Sequence, residues 1–153
     1  MSDKKNADPL PKNATEAQGL LIKAFHEQCG PASLPVIDDI LGRQGRALGL
    51  KAKSKLPDNR LSGVAAAFTK NFDPATVTVV SLSDEKFHIQ GTKCPFGLEN
   101  TSRELCEAVM AIDREYFSAA TDGRTTLKIL QTRATGGLIC DTVYSAKATD
   151  SAE

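Results

Sequence analysis

The apolar periodicity of the chain changes at Asp73-Pro74, and this change limits the possible folds more than any other feature. Before it, apolar residues recur at helical spacing; after it, short β-branched and alternating runs dominate. Ala17, Leu20, Leu21, Ala24 and Phe25 mark a first helix, with Thr15 as its expected cap and Gly30-Pro31 as its stop. A second helix is expected from Ser33, with Pro35 in its first turn and Val36, Ile37, Ile40, Leu41 and Leu48 on its apolar stripe. Gly42, Gly45 and Gly49 fall on neighbouring turns of that helix, each at a cost of roughly 1 kcal/mol relative to Ala. Three glycines so spaced point to close approach of another backbone or of a ligand. A third helix is expected over residues 58–70, burying Leu61, Val64, Ala65 and Phe68.

Beyond the break, residues 76–82 and 86–92 read as two strands joined by the Ser83-Asp84 turn, a hairpin. Thr101 and Glu104 have the spacing of a capping box that opens a helix to about residue 119. Leu105, Val109, Ile112 and Tyr116 line one stripe of it, and Cys106, Met110, Asp113 and Phe117 the adjacent one. Strands over 125–132 and 138–144 flank a turn at Gly136-Gly137. Helices first and paired strands afterwards predict an α+β fold, with an antiparallel sheet of about four strands covered by helices and a helical N-terminal half. Residues 14–146 are expected to form one cysteine-containing domain between two disordered tails, 1–13 and 147–153, which are too poor in apolar residues to pack.

Composition narrows the function. Nineteen basic and nineteen acidic residues balance, so no broad positive field is available for nucleic acid. With no Trp and few aromatics, base-stacking surfaces are disfavoured as well. No apolar run reaches the roughly 20 residues that span a bilayer, and the N-terminus lacks the apolar core of a secretory signal. A cytoplasmic protein with its four cysteines as thiols is the expectation. Nucleotide, zincin and serine-hydrolase motifs do not occur.

Cysteine chemistry therefore draws attention. Cys94 opens Cys94-Pro95-Phe96-Gly97 just past the second strand, a sequence suited to a tight loop. Cys106 is expected in the first turns of the following helix, where the positive helix end favours a thiolate. Cys140 is expected within the last strand, alternating with Leu138 on one face. These three could converge on one site, whereas Cys29, at a helix end, reads as structural; buried cysteine can also serve simply as a small hydrophobe. His88 shares side-chain parity with Gln90 and Thr92, a parity that reaches Cys94 if the strand continues. It is the candidate base or fourth ligand for the thiols.

Cys94-Pro95-Phe96, then Cys106 early in a helix, then Gly136-x-x-x-Cys140 in a terminal strand resembles a known group of domains. These are the methanogen output domain, the vinyl-reductase-like (4VR) ligand-binding domain and the aminothiazoline-carboxylate hydrolases. Residues 37–46 are similar to the glycine-bearing helix that such domains carry upstream. The resemblance implies an α+β ligand pocket between sheet and helices, with Cys94, Cys106 and Cys140 holding zinc or an iron–sulfur cluster. Two departures stand out. The DNA-reading helix-turn-helix that related regulators place before the domain is missing. The glutamate and second cysteine of the phenol-sensing relatives' zinc site also have no counterpart in residues 129–133. The resemblance implies a hydrolase or lyase acting on a small nitrogen- or sulfur-containing compound, with Cys94 as nucleophile or metal ligand and His88 as base. The alternative is a non-enzymatic module that senses a metal or small ligand and signals to a partner protein. A small-molecule ligand or substrate is the expected partner, without direct nucleic acid or membrane contact; a homodimer is left open.

Overall fold

The computed structural model describes residues 10–70 and 72–147. Helix α1 (Ala14–Cys29) leads through a 3-10 turn (Gly30–Ala32) into the long α2 (Ser33–Lys55), followed by α3 (Leu61–Thr69). The hairpin β1 (Val77–Leu82) and β2 (Lys86–Gly91) comes next. It is followed by α4 (Arg103–Val109), α5 (Ala111–Ala120), β3 (Thr125–Gln131), a second 3-10 turn (Arg133–Thr135) and β4 (Cys140–Ala146). The four strands form one sheet in the order β1-β2-β4-β3, with every pairing antiparallel. The fold is thus α+β, with a helical N-terminal half, as the change of periodicity predicts.

Local chemistry moves several boundaries. The cap of α1 is Asn13, whose side chain accepts from the Glu16 N–H at 2.8 Å, so Thr15 lies inside the helix. Asn13 itself stays extended, and the helix begins at Ala14. Of the two expected tails, residues 1–9 and 148–153 lie outside the described residues. Helix α3 starts at Leu61 because the Asp58 carboxylate first accepts the Arg60 N–H at 3.0 Å, forming a turn. Ser102 caps α4 by accepting from the Leu105 N–H at 3.1 Å, while Thr101 donates back to the Leu98 carbonyl at 2.6 Å. The N-cap thus falls one residue after Thr101, and with Leu105 at N3 the expected Thr101–Glu104 capping box does not form. The single helix expected there is divided at Met110 into α4 and α5. Strand β4 starts at Cys140, which leaves Leu138 in the preceding loop at 83% exposure, away from any strand face.

The core has two parts. One gathers Ile22, Ile37, Leu41, Leu98, Leu105 and Val109 under the helices. The other packs Leu61, Val64, Phe87, Phe117 and Tyr144 between the helices and the inner face of the sheet, with the Phe117 and Tyr144 ring centroids 4.4 Å apart. Aromatic contacts at such spacing add about 0.5–1.5 kcal/mol beyond area burial. Helices α2 and α5 lie in direct backbone contact. A Cβ on Gly45 would fall 2.8 Å from the Ile112 carbonyl carbon, and one on Gly49 would be 3.0 Å from that of Tyr116. Backbone approach accounts for Gly45 and Gly49, whereas Gly42 faces side chains of α5. Arg114 of α5 forks onto the Asp38 carboxylate of α2 at 3.0 and 3.1 Å across the same seam.

Candidate ligand cavity

Where the two core parts meet, side chains from four directions enclose a cavity of about 190 Å³. Strand alternation sends Ile89 of β2 and Cys140, Thr142 and Tyr144 of β4 to the inner face. Phe68 and Phe72, at and beyond the end of α3, close one side. Cys106, Val109, Met110 and Asp113 approach from α4, α5 and their junction. The fourth wall is the loop after β2. There the Gly97 N–H donates to the Cys94 carbonyl at 3.0 Å, and the Glu99 carboxylate accepts from the Cys94 N–H at 3.0 Å. Gly19 seats this loop on α1, because a Cβ there would be 2.6 Å from the Phe96 carbonyl carbon. Leu98, only 2% exposed, anchors its far end. The wider groove of about 290 Å³ along Arg103, Glu107, Arg114 and Lys128 is open and walled by charges.

Cys94, Cys106 and Cys140 all line the cavity, and Cys29 is exposed elsewhere. The three thiols are close enough that charge on Cys140 would raise the pKa of both of the others. Burial is the larger effect and pushes Cys94 and Cys106 above the ordinary thiol value. Backbone N–H groups of Leu98 and Phe96 partly offset it at Cys94, and the Thr132 hydroxyl, donating to Cys106 Sγ at 3.2 Å, does so at Cys106. At Cys106 desolvation thus shifts the thiol upward, opposite to the direction expected from a helix end.

His88 is not brought to the thiols. Strand β2 ends at Gly91 and the chain turns inward, so the parity linking His88 to Cys94 stops short of the cysteine. The ring lies on the outer face of the sheet, where Nε2 meets the Asp141 carboxylate from the neighbouring strand. Among the described residues no three His, Cys, Asp or Glu side chains are arranged to hold one metal ion. Zinc or an iron–sulfur cluster would take these cysteines as thiolates, displacing a proton from each on binding.

The polar feature that the motifs did not single out is Asp113. It lines the cavity, and its Oδ2 accepts from the Tyr144 hydroxyl at 2.7 Å. Burial raises its carboxyl to about 6, against a smaller lowering by the Tyr144 hydrogen bond. Tyr144, fully buried, is pushed well above the ordinary phenol value by burial and by Asp113. The signal was present in sequence: Asp113 interrupts the otherwise apolar stripe of Cys106, Met110 and Phe117.

No protein-family model matches the chain. None of the curated proteins matches it. Eleven solved chains match. One is the phenol-responsive sensory domain of the transcription activator PoxR with phenol, at 12% identity and a TM-score of 0.47, covering 91% of this chain and 77% of that one. Likeness at that level carries no functional argument. No described helix is long and apolar enough to cross a membrane.

Proposed function

We propose that this chain is a binding module for one small, mainly apolar molecule of about a single ring, held in the cavity between the Cys94 loop and the sheet. The observation that carries this reading is the cavity itself, with aromatic, aliphatic and thiol walls and a volume of about 190 Å³. An apolar cavity of about 150 Å³ in another protein is known to accept benzene. Protonated thiols serve well here, because they are polarisable and compatible with an apolar ligand. The hydrolytic reading has less support. A cysteine nucleophile needs a lowered pKa or an adjacent base, whereas burial raises Cys94 and Cys106 and His88 lies across the sheet. A sensing role, with a partner reading occupancy through the Cys94 loop, follows from the same cavity.

The test combines a probe with a filled cavity. Toluene is expected to raise the thermal midpoint of the unmodified chain, because a ligand that binds only the folded state stabilises it. Cys140→Phe, which places a ring in the space, should abolish that rise while the chain still folds. Toluene should also slow alkylation of Cys94 and Cys106 but not of Cys29. An unchanged midpoint across saturating toluene, or the same rise in Cys140→Phe, would remove the reading.

A further inference from the structure

We propose that Asp113, braced by Tyr144, is the polar anchor of the cavity and selects a monocyclic amine in its ammonium form. The proposal rests on the cavity reading above and specifies the ligand class. Its basis is an unmatched acceptor. Oδ2 of Asp113 receives the Tyr144 hydroxyl at 2.7 Å, whereas Oδ1 has no hydrogen-bond partner among the described residues. No Lys, Arg or His there forms an ion pair with this carboxylate. The other charged side chain on the cavity wall, Lys93, directs its ammonium toward Glu16 at 3.9 Å.

A carboxylate facing an apolar space without a cation is costly unless something supplies the missing charge and donor. Tyr144 cannot do so: its single proton is already given to Oδ2, and its remaining lone pairs accept. Both groups therefore present acceptors, and the complementary ligand presents donors. Phe68 and Phe72 border the same space as Tyr144, with the Phe68 and Phe72 ring centroids 5.0 Å apart and those of Phe68 and Tyr144 6.3 Å apart. Aromatic faces stabilise a desolvated cation, so ring walls and carboxylate favour the same chemistry. The apolar thiol end is left for the ligand's ring. A carboxylate ligand of equal size would meet Asp113 with like charge.

The test titrates the unmodified chain with toluene, benzyl alcohol, benzylamine and benzoate at pH 8 by calorimetry. The expected order is benzylamine tightest, at least tenfold over toluene, with benzoate weakest. In Asp113→Asn the benzylamine advantage should collapse to within about twofold of toluene. If toluene binds and benzylamine binds no tighter, or if the preference survives in Asp113→Asn, the anchor is wrong and the cavity reading stands. If none of the four binds, both fall together. The order of the four probes on the unmodified chain decides the matter even if the variant misfolds.

Discussion

The seam between α2 and α5 and the cavity beside it use the same helix in opposite ways. On one side of α5, Ile112 and Tyr116 present carbonyl oxygens to Gly45 and Gly49, and the two backbones meet with no side chain between them. On another side, Asp113 opens onto a space that no protein atom fills. Interiors are normally packed to crystal density, so the seam shows what this chain does where only stability is at stake. The cavity departs from that rule within one turn of the same helix, and it does so with a carboxylate on its wall. A gap left by poor packing would be expected to be apolar throughout. The contrast is the reason for reading the gap as a binding space.

The largest effect should come from removing the closeness of the seam. Gly45→Ala places a methyl group against the backbone of Ile112, where no rotamer change can relieve it. Overpacking typically costs 1–3 kcal/mol, and a clash with rigid helix backbone should lie at or above the upper end, about 3 kcal/mol. Chemical denaturation measures it directly. A loss under about 0.5 kcal/mol would mean that the helices slide apart freely, and the contrast with the cavity would disappear.

Gly19→Ala applies the same insertion to the cavity side. Its methyl would meet the Phe96 backbone, which belongs to a loop instead of a long helix. A loop can shift, so the stability loss should be smaller, about 1–2 kcal/mol. The displacement should instead appear as faster alkylation of Cys94 and weaker toluene binding. If stability falls as far as in Gly45→Ala with Cys94 reactivity unchanged, the Cys94 loop is as rigid as the seam.

These two glycines also show how much was legible in the sequence. The row at 42, 45 and 49 stood out because three glycines in one helix repeat at a recognisable spacing, whereas Gly19 stands alone in α1 and carried no such signal. Element order was readable because each pattern spans several turns or alternations. The neighbour relation of β4 to β2 was not, since pairing between distant segments leaves no local trace. Convergence of Cys94, Cys106 and Cys140 was open from their placement after a strand, early in a helix and in the last strand, and all three line one cavity. The side of the sheet reached by His88 relative to Cys94 depended on where β2 stops. A single turn after Gly91 decided it, and parity arguments fail beyond a strand end. The upward shift at Cys106 was hidden for a related reason: helix position is visible in sequence, but desolvation is a property of the assembled cavity.

The smallest effect expected is a pH dependence. The Asp113 carboxyl is held at about 6 in the folded chain, above its ordinary value of 3.8. The folded state therefore binds this proton more tightly than the unfolded state, and stability falls as pH rises between those two values. Below about pH 4 both states are protonated and Asp113 contributes nothing; above about pH 6 the ionised, desolvated carboxylate imposes its full penalty. Asp113→Asn keeps the shape and can still accept from Tyr144, so it should remove the penalty alone. The variant should match the unmodified chain near pH 4, gain stability up to about pH 6.5, and keep a constant advantage to pH 8. The shift corresponds to at most about 3 kcal/mol at roughly 1.4 kcal/mol per unit. Asp113 keeps some solvent access, which reduces the expected advantage to about 1 kcal/mol. Urea midpoints of both proteins across this range, taken as a difference, cancel the titration of every other carboxylate. A difference that is flat with pH would mean that Asp113 titrates normally and is well solvated, and the wall of the cavity would lose its one unusual charge. Benzylamine, added at pH 8, should narrow the gap from the unmodified side, because the ammonium supplies the partner that the folded chain lacks.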